Sequence, residues 1–176
     1  ALGADVVIHS VTKYLGGHSD LCAGVASTND AGLHAQIHHC QTLFGGVPSP
    51  FDCWLALRGL RTLGVRMQRQ CETAMKVAEA LQEHANVEQV LYPGLEQHPG
   101  HKVAASQLRP GYFGGMLSIL VKGGREEAFR VTAALKLVTR ATSLGGTESL
   151  IEHRESIEHP PRSPPNLLRV SIGLED

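Results

Sequence analysis

Short continuous apolar runs and helical spacing succeed one another in the first 84 residues of the chain. The runs at 5–9 and 21–27 have the continuous apolar character of strands buried in a parallel sheet, and residues 30–42 have the spacing of a helix. A further helix begins at Ser49, because a proline occupies the first helical position and Asp52 completes a capping box. This succession predicts an α/β core.

A long amphipathic helix follows and ends near His84. Its apolar face recurs at steps of three and four residues and consists of Leu60, Leu63, Met67, Cys71, Ala74, Ala78 and Leu81. A glycine inside a helix costs about 1 kcal/mol relative to alanine, so Gly59 and Gly64 require close packing or a kink in compensation. We expect a bend near residue 60.

The second half of the chain alternates between short strands and helices. The predicted strands lie at 87–92, 115–121, 136–141 and 167–172, and the predicted helices end at Leu108, cover 126–135 and begin near Thr147. Such an order favours a small α+β domain with a largely antiparallel sheet. We therefore divide the chain into one domain at 1–84 and a second at 85–176.

Composition adds a soluble, near-neutral character to this picture. Hydrophobic residues make up 42% and the formal net charge is -1, so neither a basic stripe for nucleic acid nor a patch for an anionic membrane is expected. None of the four cysteines forms a C-x-x-C pair, which favours a reduced, cytoplasmic protein over a zinc or disulfide scaffold. The chain opens without methionine and heads at once into a strand, which we interpret as a cut through a larger protein.

Candidate chemistry concentrates at the end of the first predicted strand, in Ser10, Thr12 and Lys13. Residues two apart on an extended segment point the same way, so the two hydroxyls can bind one anion while the lysine points elsewhere. A phosphate-bearing aldehyde cofactor needs this set, because a lysine amine condenses with its aldehyde and hydroxyls hold its phosphate. The spacing alone also allows a solvated lysine at an ordinary strand end.

Two other chemistries fit the sequence less well. Ser10 and Lys13 match the S-x-x-K of serine acyl enzymes, but neither the S-D-N nor the K-T-G motif of those enzymes occurs in the chain. His34 and His38 have the i, i+4 spacing of helical metal ligands without a carboxylate motif nearby, so we expect a solvated helix face and no metal site. Nucleotide-binding glycine motifs are absent from the sequence as well.

Several longer segments resemble one enzyme family in order and spacing. They are ADVVIHSVTKYLGGHSD, SPFDCWLALRGLRTLGVRM, VLYPGLEQHPGH, GGMLSILVKGG, SLGGTESLIEH and LLRVSIGLED. They are similar to segments of the Cys/Met-metabolism family of pyridoxal phosphate enzymes, which includes cystathionine γ-synthase, cystathionine γ- and β-lyases and methionine γ-lyase. The resemblance extends over all 176 residues. It implies the end of a fold type I large domain, with a mostly parallel sheet, followed by the small α+β domain.

The resemblance also implies a role for each candidate residue. Lys13 corresponds to the lysine that forms the Schiff base with pyridoxal 5'-phosphate and shuttles protons, and Ser10 and Thr12 correspond to phosphate ligands. Arg169 corresponds to the arginine that holds the substrate α-carboxylate through a planar two-point contact, and Ser143 to a residue beside that carboxylate. Further cofactor contacts of the family lie upstream of the segments matched here.

Two departures from the family pattern concern the substrate. Thr142 occupies a position that is commonly glutamate in cystathionine γ-synthases and γ-lyases, and threonine carries no charge to match the distal ammonium of cystathionine. Smaller thiol or O-acyl substrates are therefore open. Residues 156–159 replace a serine-methionine-threonine-histidine run near the family's substrate entrance, ahead of a short proline-rich link.

The implied function is that of a pyridoxal 5'-phosphate-dependent lyase or transferase of sulfur amino-acid metabolism. Its reaction is β- or γ-elimination, or γ-replacement, on cystathionine, O-acylhomoserine or a related amino acid, in a cytoplasmic homotetramer built from dimers. We expect the 176 residues alone to be inactive, because half of the family's site is missing. A nonenzymatic fold remnant or assembly module, and an acyl-transfer enzyme that uses Ser10 and Lys13, are the alternatives.

Overall fold

The computed structural model describes residues 3–175. The chain forms two compact units, 1–63 and 64–176. This division comes before the long helix rather than after it, and the assignment of 1–84 and 85–176 to separate domains stays a prediction. None of the helices within the described range has both the length and the apolar character needed to cross a membrane.

The first unit contains two strands, a tight turn and two helices. They are β1 (Val7–Ser10), a π-helical turn (Val11–Leu15), β2 (Gly24–Ser27), α1 (Ala31–Phe44) and α2 (Pro50–Leu60). The two strands pair antiparallel, with Ser10 opposite Gly24, and every residue of both is exposed. The expectation of strands buried in a parallel sheet is therefore wrong for this pair, whose apolar side chains face solvent in the described chain.

Local sequence signals fix the helix starts in this unit. Ser49 caps α2 as predicted, because its hydroxyl accepts from Asp52 N at 3.1 Å and donates to the Asp52 carboxylate at 2.8 Å. Asp30 caps α1 by accepting from Leu33 N at 2.7 Å. α2 ends at Leu60 and the next helix begins at Leu63, so the helical run is interrupted where the bend near residue 60 is predicted.

Gly59 lies where α2 crosses the π-helical turn. A Cβ atom at this position would overlap main-chain atoms of Gly16. Gly16 has no room either, because a Cβ there would lie 2.8 Å from Val11 O and 3.0 Å from a methyl carbon of Leu21. Close packing therefore compensates for the helical cost of Gly59. Gly64, in contrast, faces open space.

The second unit is built around a five-stranded sheet. Its elements are α3 (Leu63–Gln82), which begins at the boundary, β3 (Val87–Leu91), α4 (His101–Gln107), β4 (Met116–Val121), α5 (Arg125–Ala134), β5 (Thr139–Arg140), β6 (Leu150–His153), a 3-10 turn (Arg154–Ile157) and β7 (Leu167–Ser171). The strand order is β3-β4-β7-β6-β5. All neighbours are antiparallel except β5 and β6, so the sheet is largely antiparallel as expected.

The core of this unit packs α3 and α5 against the sheet. Its buried members are Ala74, Ala78, Tyr92, Leu95, Leu117, Ile119, Val121, Ala128, Ile151, Leu168, Val170 and Ile172. Tyr92 is completely buried, and its hydroxyl donates to Gly114 O at 2.8 Å. α3 also buries Gln70, whose amide donates to Gly146 O at 2.8 Å. Apolar periodicity alone does not predict this polar contact.

β6 replaces a short helix that the sequence predicts from about Thr147. Thr147 instead lies in a bend, and all four residues of β6 are buried between β7 and β5. Glu152 and His153 interrupt the apolar pattern of this strand, so the hydrophobic periodicity does not predict it. His153 is satisfied in the structure by the Ser156 hydroxyl and by Pro165 O, the latter at 2.7 Å.

Alanine substitutions at Gly59 and Gly64 test the close approach of Gly59 to the main chain of Gly16. We expect Gly59→Ala to lower the free energy of unfolding by about 1–3 kcal/mol, because the new methyl group overlaps main chain that cannot move aside. Gly64→Ala is the matched control and should raise that free energy by up to about 1 kcal/mol, because it adds helix propensity without a clash. Urea unfolding of the chain measures both. Equal stabilisation by the two substitutions would contradict the crossing.

Candidate active site

Lys13 lies on the π-helical turn that follows β1. The turn is held by hydrogen bonds from Gly16 N to Val11 O and from Gly17 N to Lys13 O, both at 2.8 Å. Lys13 itself leaves helical geometry, with φ -92° and ψ -130°. Its side chain is half-buried, and its ammonium makes no hydrogen bond or ion pair with any residue of 3–175. The amine is therefore open to a ligand.

The hydroxyl of Thr12 is bonded to the neighbouring chain. Its Oγ1 accepts from Ala23 N at 3.0 Å and donates to Ala23 O at 3.3 Å. β1 ends two residues before Thr12, at Ser10, so the alternation of side chains along a strand does not orient this hydroxyl as the sequence suggested. Because a hydroxyl has a single proton, Thr12 can donate to a phosphate only by releasing the long bond to Ala23 O.

Ser10 ends β1 with its side chain exposed. Its backbone is extended, with φ -79° and ψ 108°, and its hydroxyl does not cap the turn that follows. That hydroxyl has no other partner in the described part of the chain. The Lys13 amine can bind the aldehyde of the expected cofactor, and the Ser10 hydroxyl can bind its phosphate. The Thr12 hydroxyl can also donate to the phosphate once its bond to Ala23 O is broken. Ser10 is the readier of the two phosphate donors.

Arg169 lies on β7 beside the main chain of Thr142 and Ser143. Its Nη2 donates to Thr142 O at 2.6 Å and to Ser143 O at 3.2 Å, and contacts Glu152 Oε2 at 2.9 Å. Nη2 carries two hydrogens, and the three oxygens that surround it use both of them. The structure therefore brings the three predicted substrate residues together. A carboxylate ligand of Arg169 has to use the other N–H groups of the guanidinium.

Glu152 is the buried acidic partner of Arg169. It is 4% exposed, and its Oε2 also accepts from Arg154 Nη1 at 2.8 Å. Its Oε1 has no hydrogen-bond partner among the residues described. A buried carboxylate is tolerated only when it is paired with opposite charge, and the two guanidiniums supply that charge.

Arg154 extends the charged contacts outward to Glu158 and the proline-rich link. Its Nη2 donates to Glu158 Oε1 at 3.2 Å. Glu158 also accepts from Arg162 N at 3.0 Å and from the Ser163 N and Oγ at 2.8 Å each. The backbone N–H groups of Arg162 and Ser163 lower the pKa of Glu158 to about 2, and the hydrogen bond to Glu152 raises the pKa of Arg154.

A separate set of bonds ties the segment after Ser143 to the end of β7. Gly145 N donates to Ser171 Oγ at 2.9 Å. Ser149 donates to the Glu175 carboxylate twice, from N at 2.6 Å and from Oγ at 2.7 Å. These contacts fix the segment whose carbonyls meet Arg169, and each uses a side chain that carries no predicted functional role.

Thr142 is exposed on a cleft of about 290 Å³ in the second unit. Phe129 and Ile157 give the cleft apolar walls, and Arg140 adds a cation to its lining. Thr142 contributes a hydroxyl but no charge. The lining also includes the carboxylate of Glu152, which is already paired with Arg154 and Arg169.

The whole chain, residues 1–176, matches a family model described as Cys/Met metabolism PLP-dependent enzyme. The chain belongs to this family. Cystathionine gamma-synthase from Mycobacterium tuberculosis is 49% identical over 181 residues, and cystathionine beta-lyase from Coxiella burnetii is 46% identical over 176 residues. Each match covers 99% of this chain. The crystal structure of metB from Corynebacterium glutamicum agrees with a TM-score of 0.95 at 47% identity, over 99% of this chain and 46% of that chain.

The chain spans about half the length of the curated relatives it matches, 46% of the Mycobacterium tuberculosis synthase and 44% of the Coxiella burnetii lyase. Membership of the Cys/Met-metabolism family brings a dependence on pyridoxal phosphate and the α/β architecture with mixed sheets of fold type I. Ser10 at the end of β1, with Thr12 and Lys13 on the π-helical turn, fits that cofactor.

Sequence reasoning about the Cys/Met-metabolism motifs missed Glu152 and Arg154, and it included Glu158 only within the segment 156–159 that departs from the family pattern. The sequence feature that could have revealed these charged residues is the segment IEHRE, which follows the apolar residues of β6, because a charge within a strand needs a partner. Glu152 and Arg169 stand directly opposite each other in the β6–β7 register. Their pairing follows from that register, and a sequence that predicts a helix in place of β6 cannot predict the register.

Substitutions of the two hydroxyl residues should separate phosphate binding from stability. Ser10→Ala should change the free energy of unfolding by less than about 0.5 kcal/mol, because its hydroxyl bonds to no described residue. Thr12→Val should cost about 1–2 kcal/mol, because Ala23 N loses its acceptor. Both should weaken binding of pyridoxal phosphate, measured by equilibrium dialysis beside urea unfolding. A loss of stability in Ser10→Ala as large as in Thr12→Val would contradict these assignments.

Acid should release the proline-rich link from Glu158. The pKa of this carboxyl lies at about 2 instead of 4.5, so its stabilising contribution is complete above about pH 4.5 and is lost as the pH falls toward 2. The amide proton shifts of Arg162 and Ser163 should therefore titrate together with a midpoint near 2. Glu158→Gln is the control and should abolish this titration. A shared midpoint near 4.5 would show that the contacts do not form in solution.

Proposed function

We propose that this chain carries the lysine and the carboxylate-binding arginine of a pyridoxal 5'-phosphate enzyme of sulfur amino-acid metabolism. The reaction is β- or γ-elimination, or γ-replacement, on cystathionine, O-acylhomoserine or a related amino acid. The observation that carries the proposal is the position of Lys13, which leaves helical geometry inside a bonded turn with an unpartnered ammonium among the described residues. The identity of 49% to a cystathionine gamma-synthase supports it.

Three residues of the first unit would hold the cofactor. Lys13 would bind its aldehyde carbon, and Ser10 and Thr12 would donate to its phosphate. When bound, the cofactor withdraws electrons from a substrate's α-carbon and so makes the proton there removable. Nζ of Lys13 would take that proton and return it. The packing of Gly16 against Gly59 supports this role, because it leaves the turn little freedom to move.

Three residues of the second unit would hold the substrate. Arg169 would bind the α-carboxylate, with Ser143 beside it, and Thr142 would face the side chain of the substrate from the cleft. An uncharged Thr142, in a cleft where the carboxylate of Glu152 is already shared by Arg154 and Arg169, favours a thiol or O-acyl side chain over one that ends in an ammonium. We therefore place O-acylhomoserine and small thiol-bearing amino acids ahead of cystathionine.

The family likeness supports four further parts of the proposal. They are a domain division at 1–84 and 85–176, a homotetramer built from dimers, a cytoplasmic location and an amino-acid substrate. The acyl-transfer alternative requires a hydrogen bond between the Ser10 hydroxyl and the Lys13 amine. No such bond occurs within residues 3–175, so we do not propose that reaction.

A chimaera tests the function. The amino-terminal part of the Mycobacterium tuberculosis synthase that the match does not cover is joined to this chain and assayed with cystathionine, methionine, cysteine and O-acylhomoserine, with and without a thiol. Lys13→Ala should lower kcat/KM by at least about 10³-fold and remove the visible absorbance of lysine-bound cofactor, because it deletes the base. Lys102→Ala, on the exposed face of α4, is the matched control and should have neither effect.

A Lys13→Ala chimaera that keeps both its activity and its visible absorbance would contradict the proposal. Elimination activity in the 176-residue chain without any added segment would contradict only the separate expectation that this chain is inactive by itself.

A further inference from the structure

Arg154 and Arg169 share a single oxygen of a buried carboxylate. Nη1 of Arg154 lies 2.8 Å and Nη2 of Arg169 lies 2.9 Å from Glu152 Oε2. Glu152 is 4% exposed, whereas the side chains of Arg154 and Arg169 are 28% and 19% exposed. Two cations therefore meet one anion in a poorly solvated place, where charge interactions are strong.

This sharing decides the net charge that a ligand of Arg169 meets. Arg169 and Glu152 alone form a neutral pair, and an incoming carboxylate would compete with Glu152 for the guanidinium. Arg154 draws on the same oxygen and restores a net positive charge to the group of three. Arg154 thereby weakens the hold of Glu152 on Arg169.

Glu158 holds Arg154 in place with little loss of this charge. It contacts Arg154 Nη2 at 3.2 Å, a longer distance than those at Glu152. Its carboxylate accepts three shorter bonds, from Arg162 N and from the N and Oγ of Ser163. These donors are neutral and leave the formal charge of Glu158 unchanged, but its side chain is 18% exposed against 4% for Glu152, so water screens its charge better.

We propose that Arg154 is a positioning residue that keeps Arg169 available to a substrate carboxylate by sharing Glu152. The inference rests on the proposed role of Arg169 as the carboxylate-binding residue. It makes the segment after β6, where this chain departs from the family pattern, a determinant of affinity for amino acids.

Binding of propionate to the 176-residue chain tests the inference without the cofactor or any reaction. The backbone amide signals of Thr142 and Ser143 and the Nε–H signal of Arg169 report the titration, and propionamide is the neutral matched probe. Arg154→Gln should weaken propionate binding about tenfold, the change expected on removing one charge roughly 10 Å away at an effective dielectric constant of about 20. Propionamide binding should not change.

Three further variants separate charge sharing from a structural effect. Arg154→Lys keeps the charge and should stay within about threefold of the unsubstituted chain. In a Glu152→Gln background there is no charge to share, so Arg154→Gln should then weaken propionate binding by less than about threefold. Arg130→Gln removes an exposed arginine that pairs with Glu126 and Glu127, and should have no effect.

The outcomes distinguish the inference from the proposed function. Propionate binding that Arg154→Gln leaves unchanged, or weakens equally in both backgrounds, would overturn the inference alone. A chain whose Arg169 signals respond no more to propionate than to propionamide would overturn both the inference and the carboxylate-binding role of Arg169.

Discussion

The buried carboxylate of Glu152 is the point on which the second unit depends. It joins β6 to β7 through Arg169, and it joins both strands to the proline-rich link through Arg154. Replacing a buried ion pair with apolar residues is often neutral for stability, but removing one partner is costly because a lone buried charge remains. The contacts of Glu152 therefore specify an arrangement rather than supply a large net stability. What they specify is the position of Arg169 beside the carbonyls of Thr142 and Ser143.

The first unit positions its functional group by a different means. Main-chain hydrogen bonds position Lys13, because the turn that carries it is bonded within itself and the first residues of the turn donate to Ala23 O. Val11 N reaches that oxygen at 2.8 Å and Thr12 N at 3.2 Å. A lysine with an open amine thus sits on a stiff support, which suits a covalent attachment that has to be made and broken repeatedly.

Sequence reasoning succeeded where the signal is local. The start of α2 at Ser49, the break after it and the helices at 30–42 and 126–135 all follow from capping residues and periodicity, and the structure has them. It failed for β6, because a strand flanked on both sides can bury charged residues whose partners lie on another strand. It also failed for the direction of β1 and β2, because a run of apolar residues carries no information about which way its neighbour runs.

In the candidate site, too, the sequence predicts the residues but not their long-range contacts. The motif positions Ser10, Thr12 and Lys13 could be named from spacing and resemblance, but the bonding of Thr12 to Ala23 could not, because it depends on a chain segment 11 residues away. In the same way Arg169 could be named, whereas its acidic partner Glu152 depends on strand register.

The contact between Gly16 and Gly59 has a genetic consequence. The atoms that exclude a side chain from position 59 belong to the main chain of Gly16, so there is no smaller residue to which that neighbour could be changed. A selection for restored activity, started from a bulky residue at position 59, should therefore return true revertants rather than second-site suppressors in the turn.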